Sequence, residues 1–275
     1  MEERLLIEEN RSYLSKDKVS MTLRIVKPTE WQKGDRRTCI LFYFGGGFVK
    51  RNLAHFKRQG EYFAKLGCVC VHADYRLASE TMDLRVCHDD ALSALEAVVE
   101  QADELGIDPA RIIVCGGSAG GELACAVNFA SNLPCAQVLF NPLLFHGEQG
   151  VFLINRKATV VQINEEKTTI DVAARYAQCW GEEYARYPQH FSAYHLLDGK
   201  QLPPTLILQG TADPITYRGV ILFHQKAIEL GWDCTCVLYE GETHGFFNYE
   251  RSEDKFCYTD TLKQMEIFIK ERKLI

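Results

Sequence analysis

Ile112-Ile113-Val114-Cys115-Gly116-Gly117-Ser118-Ala119-Gly120-Gly121-Glu122-Leu123-Ala124 joins an apolar, strand-like run to a helix-forming run through Gly-x-Ser-x-Gly. A serine forced into a tight strand-to-helix turn takes a strained backbone conformation. Only small neighbours, here Gly116 and Gly120, let the chain pass closely on both sides. The Ser118 hydroxyl then stands clear of the sheet. A helix beginning at this point also aims backbone N–H groups and the positive end of its dipole at any negative oxygen that forms beside the serine.

A serine hydroxyl becomes a nucleophile only when a base takes its proton and a carboxylate orients that base. Both lie downstream. The strand Thr205-Leu206-Ile207-Leu208-Gln209 runs into Gly210-Thr211-Ala212-Asp213-Pro214, with Pro214 biasing Asp213 away from helical geometry. The strand from Cys234 to Tyr239 runs into Gly241-Glu242-Thr243-His244-Gly245-Phe246-Phe247, where glycines flank an imidazole. Glu240, at the end of that strand, is a rival carboxylate, but closeness in sequence does not make it face His244, and Asp213 is preferred. Phe44-Gly45-Gly46-Gly47-Phe48 follows directly on a third apolar strand, Cys39 to Phe44. Successive glycines allow main-chain N–H groups to turn towards a bound negative oxygen, although the same run also suits a plain flexible loop. The chain order Ser118, Asp213, His244 is that of one hydrolase fold in particular.

Around these points the apolar pattern alternates mostly strand, helix, strand, helix, with no internal repeat. Val19 to Val26 alternates and reads as a half-buried, edge-type strand; Cys68 to His72, Arg111 to Cys115 and Cys135 to Phe140 read as buried strands. Leu84, Cys87, Ala91, Leu95, Val98, Ala102 and Leu105 form one helical stripe over Asp83 to Leu105, stopped by Gly106. Val220, Phe223, Ala227 and Leu230 before Gly231, and Leu262, Met265, Phe268 and Ile269, repeat the device. This predicts an α/β fold: a mainly parallel central sheet with helices on both faces and right-handed crossovers. Residues 142–200 separate two strands by more than a loop and one helix, and read as a small cap insertion. Within it Ile170 to Trp180 suits a helix. Its aromatics Tyr176, Trp180, Tyr184, Tyr187 and Phe191 either cover a site or pack the insertion onto the sheet.

At 275 residues, 47% hydrophobic and 25% charged, the chain is expected to form one domain, 1–275, around one core. A net charge of −6 without a basic block argues against nucleic acid as a partner. Eleven cysteines without a regular framework suit free thiols. The pairs Cys68/Cys70 and Cys234/Cys236 lie two apart on strands, which puts each pair on one face as core packing. No Cys-x-x-Cys or His-x-x-x-His spacing suggests a metal, and Cys115 lies too deep in its strand to be a nucleophile. No apolar run approaches the length of a membrane span, and acids at Glu2, Glu3, Glu8 and Glu9 stand where a signal peptide would be basic. A cytoplasmic location without membrane insertion is expected. Residues 1–9 read as a solvated N-terminal helix, or as a short amphipathic segment lining the entrance or joining a homodimer contact.

Taken together the motifs resemble those of α/β-hydrolase esterases of the hormone-sensitive-lipase-like and acetylesterase group. Phe44-Gly-Gly-Gly-Phe48 is similar to the group's His-Gly-Gly-Gly-Phe, and Asp74-Tyr75-Arg76-Leu77-Ala78-Ser79-Glu80 to its Asp-Tyr-Arg-Leu-Ala-Pro-Glu. Gly116 to Gly121 resembles its nucleophile elbow, and Gly210 to Pro214 with His244-Gly245-Phe246 its acid and base. The resemblance runs from about residue 36 to 273. It implies Ser118 as nucleophile, His244 as general base and then acid, and Asp213 as the group that balances the imidazolium. It also implies an oxyanion hole from the Ala119 N–H and one or two of Gly45, Gly46 and Gly47, with no cofactor or metal.

The function so implied is hydrolysis of short-chain carboxylic esters, acetyl esters foremost, through an acyl-enzyme. The segment His244-Gly245-Phe246-Phe247-Asn248 resembles bacterial acetylesterases acting on carbohydrate esters. Two departures bear on this: Phe44 replaces the motif histidine that braces the glycine loop, and Gly117 replaces the acid common before the serine. A serine peptidase or amidase and a non-catalytic small-molecule receptor on the same fold are the alternatives. The remaining histidines, His55, His72, His88, His146, His190, His195 and His224, read as surface or packing residues; His72, near Asp74, is the one with a claim to shape the site.

Overall fold

A computed structural model describes residues 5–146, 179–251 and 255–275, together with the backbone of 160–163 and 166–169. In chain order the strands are β1 (Leu6–Leu14), β2 (Ser20–Pro28), β3 (Arg37–Tyr43), β4 (Val69–Ala73), β5 (Ile107–Gly117), β6 (Ala136–Phe140), β7 (Val160–Ile163), β8 (Glu166–Thr169), β9 (Thr205–Gly210) and β10 (Cys234–Tyr239). The longer helices are α1 (Lys57–Lys65), α2 (Leu84–Glu100), α3 (Ala119–Ser131), α4 (Tyr217–Glu229) and α5 (Phe256–Glu271). Among the described residues eight strands form one sheet in the order β1-β2-β4-β3-β5-β6-β9-β10, parallel from β4 to β10. β7 and β8 pair only with each other.

Period-two alternation divides the strand side chains between two cores. Leu41, Tyr43 and Val114 join Leu95, Leu123 and Phe223 of α2, α3 and α4 on one face. Ile40, Phe42, Ile113 and Cys115 join Phe63, Met265 and Ile269 of α1 and α5 on the other. Strands wetted on neither face read as unbroken apolar runs, which is why the sequence reveals them. Cys68 and Cys70 fall on one face, Cys234 and Cys236 on the other, and these four thiols are free.

Three expectations are corrected. Residues 6–14 are a strand, not a helix: β1 pairs antiparallel with β2, and its acids meet diagonal cations, Glu8 with Arg24 at 2.5 Å and Glu9 with the buried Lys27 at 3.1 Å. Those cross-strand pairs, invisible in a linear reading, decide for sheet. β2 is therefore not an edge but lies between β1 and β4. The stripe predicted from Asp83 to Leu105 divides into α2, capped by the Asp83 carboxylate accepting from the Arg85 N–H at 3.0 Å, and a short turn, Ala102–Leu105, that ends at Gly106 with φ +66°.

Of the aromatics in the segment read as an insertion, Trp180, Tyr184 and Phe191 are buried in the α2/α3 core, as the packing alternative requires, while Tyr187 is half exposed. Tyr176 and all but the end of the 170–180 run lie outside the described residues. Glu122, on the first turn of α3, ties down the segments that carry His146 and Tyr184. His88 Nε2 and His146 Nε2 each lie 3.0 Å from one of its carboxylate oxygens, and His146 Nδ1 lies 2.8 Å from the Tyr184 hydroxyl. Burial pushes the Glu122 carboxyl up, but the imidazoles, His146 foremost, outweigh it and hold its pKa below the ordinary 4.5.

A carboxyl whose pKa is depressed by folding stabilises the native state above its ordinary value, and this stabilisation is lost as pH falls through the folded value. The stability of wild type in urea unfolding is therefore expected to fall as pH drops below 4.5, and Glu122→Gln to flatten that decline. At pH 7, Glu122→Ala is expected to cost about 3–5 kcal/mol, read from the same titrations.

Candidate active site

β5 ends by bending sharply into α3, and Ser118 sits at the bend with φ +55° and ψ −120°. The flanking glycines are required by contact. A Cβ at Gly116 would lie 2.0 Å from the Gly120 carbonyl oxygen, and one at Gly120 would lie 2.1 Å from that of Tyr43. Both peptide groups of the serine are held: its N–H donates to Phe140 O at 3.0 Å, and its carbonyl accepts from Gly121 and Leu143 at 3.0 and 3.1 Å.

The loops after β9 and β10 bring Asp213 and His244 to the same place. His244 Nε2 lies 3.0 Å from Ser118 Oγ, and His244 Nδ1 lies 2.7 Å from Asp213 Oδ2. Asp213 also accepts from the N–H groups of Ile215 and Thr216 at 2.8 and 3.2 Å, the Thr216 hydroxyl at 2.6 Å and Gln209 Nε2 at 3.2 Å. Burial pushes this carboxyl up, but the bonds from His244, Thr216 and the Ile215 amide hold it below the usual carboxylate value. It stays ionised, oriented towards one imidazole nitrogen. Glu240 is exposed and has no part in the cluster. The His244 loop is fixed in turn, with Gly245 N–H donating to Asn141 Oδ1 at 2.8 Å and Arg251 to the His244 carbonyl at 2.5 Å.

The glycine loop lies against the elbow: a Cβ at Gly45 would meet the Gly117 carbonyl oxygen at 2.6 Å and Ser118 Cβ at 3.2 Å. Gly46 and Gly47 have φ of +138° and +62°, in the left-handed region that favours glycine. Of the expected donors, Gly45 is already engaged, since its N–H donates to His55 Nδ1 at 3.0 Å. Among the described residues nothing accepts from the N–H of Gly46, Gly47 or Ala119. Phe44 turns the other way, stacked on Tyr75 at 4.1 Å, while the Tyr75 hydroxyl donates to the Phe44 carbonyl at 2.8 Å.

The histidines separate accordingly. His55 and the His88–Glu122–His146 group are the functional candidates that the sequence reading passed over, since neither lies near its partner in sequence. His72 is buried, stacked on Phe42 at 5.1 Å and facing Gly60, a packing role. Burial drives the His55 imidazole down to about 4, against a hydrogen bond that its ring N–H donates to Asn248. No group of three or more His, Cys, Asp or Glu side chains suited to a metal occurs among the described residues, and no helix there is long and apolar enough to cross a membrane.

A family model for the alpha/beta hydrolase fold matches residues 40–248, from β3 past the His244 loop. The chain belongs to the alpha/beta hydrolase fold family. This bears out the resemblance read from the motifs. Among solved structures, the alpha/beta hydrolase is similar to esterase 2 of Thermogutta terrifontis phosphonylated by sarin, at 34% identity and a TM-score of 0.82, covering 98% of this chain and 96% of that one. The propionate-bound form of the same esterase gives 34% and 0.79 over 98% and 95%. Among curated proteins it is 31% identical to an ethyl acetate hydrolase of Pseudomonas putida over 86% of this chain and 74% of that one. It is 40% identical to an AB hydrolase superfamily protein of Schizosaccharomyces pombe over 75% of this chain. The chain spans 66% and 62% of the length of the two fission-yeast relatives it matches.

Gly117, the second departure from the motif, has a steric reason. A Cβ there would lie 3.0 Å from the Phe247 ring, 3.1 Å from Phe56 and 3.5 Å from His55. Gly117→Ala is thus expected to overpack this aromatic cluster and to lower stability by about 1–3 kcal/mol in thermal or denaturant unfolding, with Gly117→Asp falling further.

Proposed function

We propose that this alpha/beta hydrolase is a serine carboxylesterase acting on short-chain acyl esters, with residues 142–200 as a cap insertion within a single domain. The observation that carries the reading is the continuous path from Asp213 through His244 to Ser118, 2.7 and 3.0 Å long, beside unengaged N–H groups of Gly46, Gly47 and Ala119.

In this reading Ser118 Oγ attacks the ester carbonyl carbon while His244 Nε2 takes its proton, and Asp213 stabilises the imidazolium through Nδ1. Carbonyl electrons move onto the oxygen, which the free amides receive; one such donor is worth about 2.7–4 kcal/mol in the transition state. Collapse of the tetrahedral adduct expels the alcohol, protonated by His244, and leaves an acyl-Ser118. Water, deprotonated by His244, then attacks that acyl group, and a second collapse returns the serine and a carboxylic acid. Because His244 must be neutral to accept a proton, activity falls on the acid side.

Short acyl groups are favoured by two likenesses: one relative is named for ethyl acetate, and a similar esterase holds propionate. An acetylated carbohydrate is the alcohol class suggested by the segment His244–Asn248. Wild type is expected to hydrolyse p-nitrophenyl acetate and butyrate faster than octanoate and to take a fluorophosphonate label. Ser118→Ala should lose the label and on the order of 10⁴-fold or more in kcat/KM. Equal turnover by the two proteins would falsify the assignment; faster cleavage of aminoacyl anilides would move it to an amidase. Acetate release from peracetylated glucose, compared with ethyl acetate, tests the carbohydrate class.

A further inference from the structure

The glycine loop of this chain lacks the histidine that begins the motif elsewhere, because position 44 carries a phenylalanine committed to the core. A loop of three glycines has the most conformational entropy to lose, so something must hold its amides in place. Tyr75 holds the Phe44 carbonyl on one side, through a bond of 2.8 Å. On the other side the only side chain bonded to a glycine N–H of this loop, among the described residues, is His55.

We infer that His55 is the positioning residue of the oxyanion loop, standing in for the absent motif histidine by accepting the Gly45 N–H at Nδ1. The bond fixes the Gly45 peptide plane and thereby the direction of the chain through Gly46 and Gly47, whose N–H groups remain unengaged. Accepting at Nδ1 also sets the tautomer, with the ring proton on Nε2.

His55 is itself held by the other side of the site. Its ring lies 4.6 Å from Phe56 and 5.5 Å from Phe247. It also bonds to Asn248, whose amide donates to the Gly245 carbonyl at 2.8 Å, next to His244. One imidazole therefore joins the loop that receives the oxyanion to the loop that carries the base. Its low proton affinity, caused first by burial, keeps it a neutral acceptor at neutral pH. His55 touches no reacting atom and acts through Gly45.

This inference rests on the esterase reading. Asparagine at position 55 carries an acceptor where Nδ1 stands, whereas glutamine places its amide one bond further out and leucine has no acceptor. With p-nitrophenyl acetate, His55→Leu and His55→Gln are expected to lose about 10- to 100-fold in kcat with KM within about twofold, and His55→Asn to regain most of the loss. Deuterium exchange over residues 44–50 should be slow in wild type and His55→Asn and faster in the other two. Leucine or glutamine variants with wild-type kcat, an asparagine variant no better than they are, or equal exchange in all four proteins overturns the role of His55. Should the leucine variant not fold, the asparagine and glutamine pair decides alone. Wild type that neither turns over ester nor takes a phosphonate label overturns the esterase reading instead.

Discussion

The bend at Ser118 is the constraint on which the rest of the site depends. A non-glycine residue at φ +55° costs on the order of 1–3 kcal/mol, and the surrounding structure must hold it there. The means are a hydrogen bond to the end of β6, bonds to its carbonyl from Gly121, Glu122 and Leu143, and glycines where a Cβ would strike main chain at about 2 Å. Because β5 lies between β3 and β6, the same bend sets the hydroxyl between the glycine loop that follows β3 and the loops that follow β9 and β10. A parallel sheet ends all these strands at one rim, so side chains far apart in sequence meet without a dedicated scaffold.

Charge buried near the bend is handled in the same way at two depths. Asp213 has no exposed side-chain surface, yet it keeps its charge because backbone amides, a hydroxyl, a glutamine and His244 all face its oxygens. Glu122, one turn of helix beyond the serine, is as deeply buried and satisfies each oxygen with an imidazole. The first arrangement orients the His244 imidazole. The second fastens Tyr184, through His146, to the helix that begins after Ser118.

Strand and helix order, both helix-covered faces of the sheet, and the elbow were legible because buried parallel strands and amphipathic helices leave unmistakable periods in the chain. What misled the reading was local as well. An acidic N-terminal segment looks like a solvated helix until Arg24 and Lys27 are placed across from it, and β2 looks like an edge until β1 covers it. His55, ten positions after Gly45, carries no neighbouring acid to advertise it; the one signal was a brace missing from the motif. Glu122 lies in the elbow segment but carries no local signal of its role, since its partners come from α2 and from the loop after β6.

The sequence by itself determined which residue types stand at each strand end: a serine between glycines, a carboxylate before proline, a histidine before glycine, and a glycine run. Those are one-dimensional facts, since steric demands on a turn are met by the residues of that turn. Tertiary structure alone decided which groups are engaged: that Gly45 donates to His55 while Gly46, Gly47 and Ala119 are left for a ligand, that Asp213 and not Glu240 faces the imidazole, and that Phe44 belongs to the core. Hydrogen bonds act over about 3 Å and along fixed directions. Only the packed sheet brings residues from separate loops within that range, so only it distributes the bonds among them.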